Sequence, residues 1–261
     1  MLECLWIMFL ERSYNMANPT LNENILKNSF NSLENSHTMT INGTILKTCF
    51  LGLLATLTFA YSWFLIMAGY ADKAVMLYNG GLWGGLILAL IIIFAPKNKF
   101  LIITTPLYAM CEGLALGYIS ALANKYYPGV ASQAALGTFF ALFGMFLLYK
   151  TNLVKCTDKF RMIIVNSTFA IFGIYLLQII LNLFHIQIPF IFSNSPLGIG
   201  FSILVAALAT FNLIIDFDNI ERFNGQVAKH FEWYFGFSLM VTIIWMYIEI
   251  LNLLMKVQSR Q

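Results

Sequence analysis

"LGIGFSILVAALATFNLIIDFDNIERF", residues 197–223, runs nineteen residues without a charge and then places two carboxylates, Asp216 and Asp218, at its end. A helix crosses the roughly 30 Å hydrocarbon layer with about 20 apolar residues, so Leu197–Ile215 reads as one membrane span. Stretches of the same kind recur along the chain: Thr48–Ala71, Ala74–Pro96, Tyr126–Tyr149 and Met162–Phe184. Two more contain a single acid each, Phe100–Asn124 around Glu112 and Trp233–Met255 around Glu249. The count is seven. Backbone polar groups in lipid must be satisfied within the segment itself, which requires helices here. The ten-residue alternating segments of a membrane β-barrel are absent. The fold class is therefore an all-α membrane protein, a seven-helix bundle with a polar N-terminal tail.

Composition agrees. The chain is 59% hydrophobic and 10% charged over 261 residues, against roughly 25% charged in soluble domains. A net charge of +3 is too small to argue for nucleic acid. Cys4, Cys49, Cys111 and Cys156 show no CxxC and no regular spacing, so they read as free thiols and not as a disulfide framework or zinc site. The opening "MLECLWIMFL" is too short to span and carries Glu3, and it has neither a basic flank nor a small-residue cleavage site. Met16 begins "MANPTLNENILKNSF", so residues 1–15 read as an over-called start. Residues 1–44 form the tail, with a short interfacial helix expected to carry Leu21, Ile25 and Phe30. Residues 45–255 form the membrane domain and 256–261 a short C-terminal tail.

Lysine and arginine orient the bundle. Eleven of the fifteen fall on the face shared by the tail and the 2–3, 4–5 and 6–7 loops, with "KTNLVKCTDKFR" (150–161) contributing most. That face, and with it the N-terminus and "DFDNIERFNGQVAKHFE", is expected in the cytoplasm. The C-terminus lies opposite, unless the seventh segment is re-entrant. Small residues in "GGLWGG" (80–85) and "GLALG" (113–117), with Gly137 and Gly144, mark close helix approach.

Acids inside spans are costly and must be neutral, paired or in contact with water. Glu112, near the centre of its span, is either a protonated packing group or part of an ion path. Asp216 and Asp218 lie about 200° apart around a helix, so both cannot face the interior. The reading of the residues makes Asp216 the helix end reaching water and pairs Asp218 with Arg222, one turn on. Glu232 begins the last span at the interface, and with Glu112 and Asp216 it is an additional candidate for proton sensing or ion binding. Glu249 sits near the far boundary if that helix is straight, and level with Asp218 if it enters obliquely or breaks at Gly236. HExxH, GxSxG and GxGD patterns are absent, so no enzyme is expected. His37, His185 and His230 fall in the tail and loops, as surface residues.

The ending "LIIDFDNIERFNGQVAKHFEWYFGFSLMVTIIWMYIEILNLL" resembles the last two spans of the Bax inhibitor (YccA-like, TMBIM) family, nearest to its bacterial branch with an extended N-terminal tail. "NPTL", "MTINGTILKT", "TPLYAMCEGLALG" and "YPGVASQAALGTFFALFGMFLLYK" follow the same order, over roughly residues 17–255. The resemblance implies a bundle in the bacterial inner membrane with its last helix near the centre, acting as a pH-sensitive calcium leak. It places the proton-sensing pair on Asp218, through "FD", and Glu249, through "YIEILNLL". Here the two are 31 residues apart, several more than in better-studied members, and the second acid is Glu where those have Asp. Two carboxylates in contact share a proton and titrate together. They supply at most four of the six to eight oxygens that calcium prefers, which implies weak, passing contact with the ion and no resident cofactor. The rival implied by the same resemblance is a non-conducting modulator that restrains a membrane protease or another integral protein.

Overall fold

The computed structural model describes residues 38–95, 100–184 and 193–260. The readings made for Leu21, Ile25, Phe30, Met16, Cys4, His37 and His185 lie outside the described residues. Seven helices follow in order: α1 Ile41–Met67, α2 Ala71–Phe94, α3 Leu101–Tyr126, α4 Val130–Lys150, α5 Asp158–Leu183, α6 Pro196–Arg222 and α7 Phe231–Gln258. Each is long and apolar enough to cross a membrane.

Local chemistry sets where several of them start. Thr40 caps α1 by accepting from the Gly43 amide at 3.0 Å, so α1 begins seven residues ahead of the charge-free stretch. Thr157 caps α5 in the same way, and Ser195 caps α6 ahead of Pro196 in the first turn. Such caps satisfy amides that a helix start leaves open. α6 does not stop at Ile215, as expected, but runs on to Arg222. Its acids have partners in the protein, so nothing forces the helix to end where they begin. α7 is one unbroken helix of 28 residues, about 42 Å at ~1.5 Å per residue. It neither breaks at Gly236 nor turns back.

α7 packs on α1, α3, α4 and α6, which puts it at the centre. Over half of the α6 and α7 span windows is buried, 56% in each, against 17–39% in the other five. α3 fits between α1 and α2 through its glycines. A Cβ on Gly113 would lie 2.2 Å from the Ala55 carbonyl oxygen, and one on Gly117 2.4 Å from that of Phe59. From α2, Gly81 approaches the Cys111 carbonyl equally closely. The packing expected of "GGLWGG" and "GLALG" is thus backbone-to-backbone contact. Gly144 has nothing within 4 Å of its would-be Cβ, so only Gly137 of the α4 pair approaches a neighbour, Ile250.

One end of the bundle is stitched together by backbone. Met39 donates to the Val227 carbonyl at 2.8 Å and accepts from Gly225 at 3.0 Å. The segment before α1 therefore lies against the α6–α7 loop, on the shared face that the lysine and arginine distribution indicates.

Gly113→Ala is expected to destabilise the protein by about 1–3 kcal/mol, the usual range for overpacking. Gly144→Ala, in open space, should be neutral or gain up to about 1 kcal/mol from helix propensity. Thermal unfolding of the two variants in detergent checks this, and equal midpoints would contradict the α1–α3 account.

Candidate functional site: buried acids on α6 and α7

Asp216 is the inward acid. It is 2% exposed and takes two hydrogen bonds from α7: Ser238 Oγ donates to Oδ1 at 3.1 Å and Thr242 Oγ1 to Oδ2 at 2.5 Å. Ser238 and Thr242 are one turn apart and so share a face. Thr242 Oγ1 also lies 3.3 Å from the Ser238 carbonyl, a second acceptor for its proton. This corrects the reading of Asp216 as a helix end in water. The helix continues six residues past it, and α7 supplies the groups that water would otherwise provide.

Asp218 points the other way, as the ~200° offset requires. Its ion pair is with Arg161 of α5, at 2.5 Å from Nη2, and not the one-turn pair expected with Arg222. Arg161 is 7% exposed and also donates to Asn219 Oδ1 at 2.8 Å. The charge distribution counted Arg161 as a loop cation, but it is a buried partner. Cys156, in the loop just before α5, sits beside this group. Burial pushes its thiol up to about 11, with Arg161 pulling in the opposite direction. At neutral pH it is an inert thiol.

Glu249 is 3% exposed and accepts at Oε1 from the Tyr175 hydroxyl (2.9 Å) and from Trp245 Nε1 (3.1 Å). The expected contact between Asp218 and Glu249 is not formed. Two crosslinks fix the antiparallel register of α6 and α7: Asp216 to Ser238 and Thr242, and Ser202 to Lys256 at 2.8 Å. In that register Glu249 lies level with a point on α6 about eleven residues before Asp218, an axial separation of about 16 Å. The pair could have met only if α7 bent to absorb the 31-residue spacing, and α7 is continuous.

The remaining acids occupy separate places. Glu112 is half-buried in the α2–α3 groove, where a Cβ on Gly85 would come 2.8 Å from its Oε1. Glu232, in the first turn of α7, is 1% exposed. It accepts from the Thr40 amide and the Thr40 hydroxyl, each at 3.0 Å, and pairs with Lys47. Its carboxylate fills the space beneath Gly43 at the start of α1, where the helix dipole favours a negative charge. The Lys47 ammonium lies 5.3 Å from the Trp233 ring centre as well. His230 is half-buried against Phe231. Among the described residues no group of three or more His, Cys, Asp or Glu side chains is placed to hold a metal ion.

Sequence reasoning missed Ser238, Thr242, Arg161 and Tyr175. Each carries a polar group in or beside an apolar stretch, which marks the residue without naming its partner. Ser238 and Thr242 are hydroxyls one turn apart in an apolar span, and Arg161 and Tyr175 are two α5 positions fourteen residues apart on one helix face.

Seven apolar helices around internally satisfied acids define a multi-pass integral membrane protein. The family model described as Bax inhibitor 1 like matches residues 18–259, and the chain belongs to that family. No curated protein and no solved structure matched it.

Lys47→Met should cost about 2 kcal/mol or more, because it leaves the Glu232 carboxylate buried without its cation. Adding Glu232→Gln, which still accepts from Thr40 but carries no charge, should recover most of that loss. Denaturation midpoints of both variants test this, and a double variant no better than the single would show that the charge is not the source of the cost.

Proposed function

We propose that the protein is a proton-responsive calcium leak of the bacterial inner membrane, with its N-terminus in the cytoplasm and Asp216 as the proton-responsive group. The observation that carries this reading is the Asp216 carboxylate, enclosed between α6 and α7 and held by two hydroxyls from the facing helix. Family membership and the excess of basic residues on the N-terminal face support it.

The direction of the pH response follows from donors and acceptors. An ionised carboxylate only accepts, so both α7 hydroxyls can donate to it, and such charge-assisted bonds are about twice as strong as neutral ones. A protonated Asp216 must itself donate. Thr242 then becomes the acceptor and turns its own proton to the Ser238 carbonyl, 3.3 Å away. The clasp survives in weaker, neutral form. Proton uptake therefore loosens the contact between α6 and α7, and leak should rise as pH falls. The Asp216 carboxylate and the two α7 hydroxyls supply four oxygens, fewer than the six to eight that calcium prefers, which suits passage and not storage.

Calcium flux in vesicles containing the purified protein is expected to rise as the medium is acidified. Asp216→Asn should give high flux that no longer follows pH, and Thr242→Val should shift the wild-type profile toward that state. The reading fails if wild-type vesicles pass no more calcium than protein-free ones at any pH, or if Asp216→Asn keeps the wild-type profile. Absence of flux together with co-purification of a membrane protease would establish the non-conducting modulator instead.

A further inference from the structure

α6 is one of the two most buried helices, yet one stripe of it is open: Gly200, Leu204, Ala207 and Phe211 are all exposed. Their spacing keeps them on one face, and seven residues beyond Phe211 the same face carries Asp218. Neighbouring helices stand on both sides of the stripe. About 100° to one side, Phe217 meets the rings of Phe146 and Tyr149 of α4 at 5.8 and 6.0 Å between centres. About 100–120° to the other, Asn212 bonds Thr168 of α5 at 2.9 Å. Phe160, at the start of α5, sets its ring edge-on to Phe211 at 6.0 Å. α4 and α5 have no extensive contact with each other. The stripe is therefore the floor of a groove whose walls are α4 and α5. From Gly200 to Asp218 it runs about 27 Å.

The 4–5 loop joins the two walls at the N-terminal face, beside the Asp218 end of the floor. Lys150, Lys155 and Lys159 are exposed there, and the Lys150 ammonium lies 5.8 Å from the centre of the Phe146 ring. Asn152 turns the chain with a φ of 55°, and the Leu153 amide donates to the Leu148 carbonyl at 3.1 Å. That turn leaves Leu153 74% exposed between two of the lysines. The acids nearby do not offset them. Arg161 balances Asp218, Glu221 takes the Tyr149 hydroxyl, and Asp158 opens α5. Basic residues at the ends of spans commonly do no more than orient the chain, and exposed apolar residues meet lipid wherever they occur. Neither explains a recessed apolar floor that ends beside three lysines.

We infer that this groove binds a phospholipid with an anionic headgroup, drawn from the leaflet on the N-terminal side. One acyl chain lies along Phe211 and Ala207, and the phosphate faces Lys150, Lys155 and Lys159. A leaflet is about 15 Å deep, half of the hydrocarbon layer. Ala207 stands about 16 Å along α6 from Asp218, so a chain entering at the lysines reaches it. The absence of bulk at Ala207 leaves the chain room between the walls. Leu153 enters the headgroup layer alongside. Anionic lipids attract basic segments placed at a membrane surface. A soluble anion would satisfy the lysines and leave the floor uncovered, whereas an amphiphile meets both. The site does not depend on the leak reading.

The test is lipid retention by the full-length protein. Protein in mixed micelles is equilibrated with equal amounts of phosphatidylglycerol and phosphatidylcholine, and the lipid it keeps is read by native mass spectrometry. The wild type should keep phosphatidylglycerol several-fold over phosphatidylcholine. Ala207→Phe fills the floor at an exposed position and should cut that retention several-fold, whereas Ala60→Phe, exposed on α1, should not. Lys155→Gln with Lys159→Gln should abolish the preference. Lys97→Gln with Lys99→Gln removes the same charge from the 2–3 loop and should keep it. Millimolar inorganic phosphate should displace no lipid. The inference is overturned if the wild type keeps both lipids equally, or if Ala207→Phe retains as much as Ala60→Phe. It is also overturned if the two lysine pairs act alike, which makes the attraction a property of the whole face, or if phosphate alone displaces the lipid. The surface lysine pairs test the headgroup end even where Ala207→Phe fails to fold.

Discussion

A carboxylate withdrawn from water must find donors in the protein, and four acids of this bundle do so on a second helix or its cap. Asp216 takes hydroxyls from α7, Asp218 a guanidinium from α5, Glu249 a phenol from α5, and Glu232 an ammonium and an amide from the start of α1. Lipid offers no alternative partner. Each acid consequently pins two elements at a defined height, and together they fix the register of α5, α6, α7 and the N-terminal segment. Apolar side chains alone would pack these helices in several registers at similar cost, because lipid chains are as apolar as leucine.

Register decides which acids can communicate. Asp216 and Asp218 are neighbours in sequence and face different helices. Asp218 and Glu249 are far apart along the axis and face the same one. Sequence distance misleads in both cases because a helix rotates about 100° per residue while rising only about 1.5 Å. The clasp occupies the α7 side of α6 and the ion pair its α5 side.

Much of the fold was legible because the hydrophobic effect in a membrane writes itself as length: seven apolar runs of about 20 residues predict seven helices, and glycine stripes predict close contacts. Helix ends were less so. The end of α6 was placed at Ile215 because the acids following it resemble a boundary, and only the presence of Ser238 and Thr242 opposite Asp216 shows that they are not. The acids themselves were identifiable by type, since each is expensive where it stands. Their partners were not, because partnership depends on axial register between helices distant in sequence, and a single chain carries no direct record of that. Arg161 shows the difficulty. Next to a basic loop it looks like one more surface cation, and its burial depends on Asp218 arriving from α6.

The asymmetry of packing completes the argument. α1, α2 and α3 are joined through glycine backbones, where approach is closest and displacement would separate hydrogen-bonded helices from their nearest contacts. α5 meets the rest mainly through polar levels separated by small apolar layers, and most of its surface faces lipid. Polar contacts of this kind can be exchanged one for another, with an ion or water taking the place of a side-chain donor, whereas a filled glycine groove has no substitute. In this bundle the two kinds of contact are on opposite sides of the central helix.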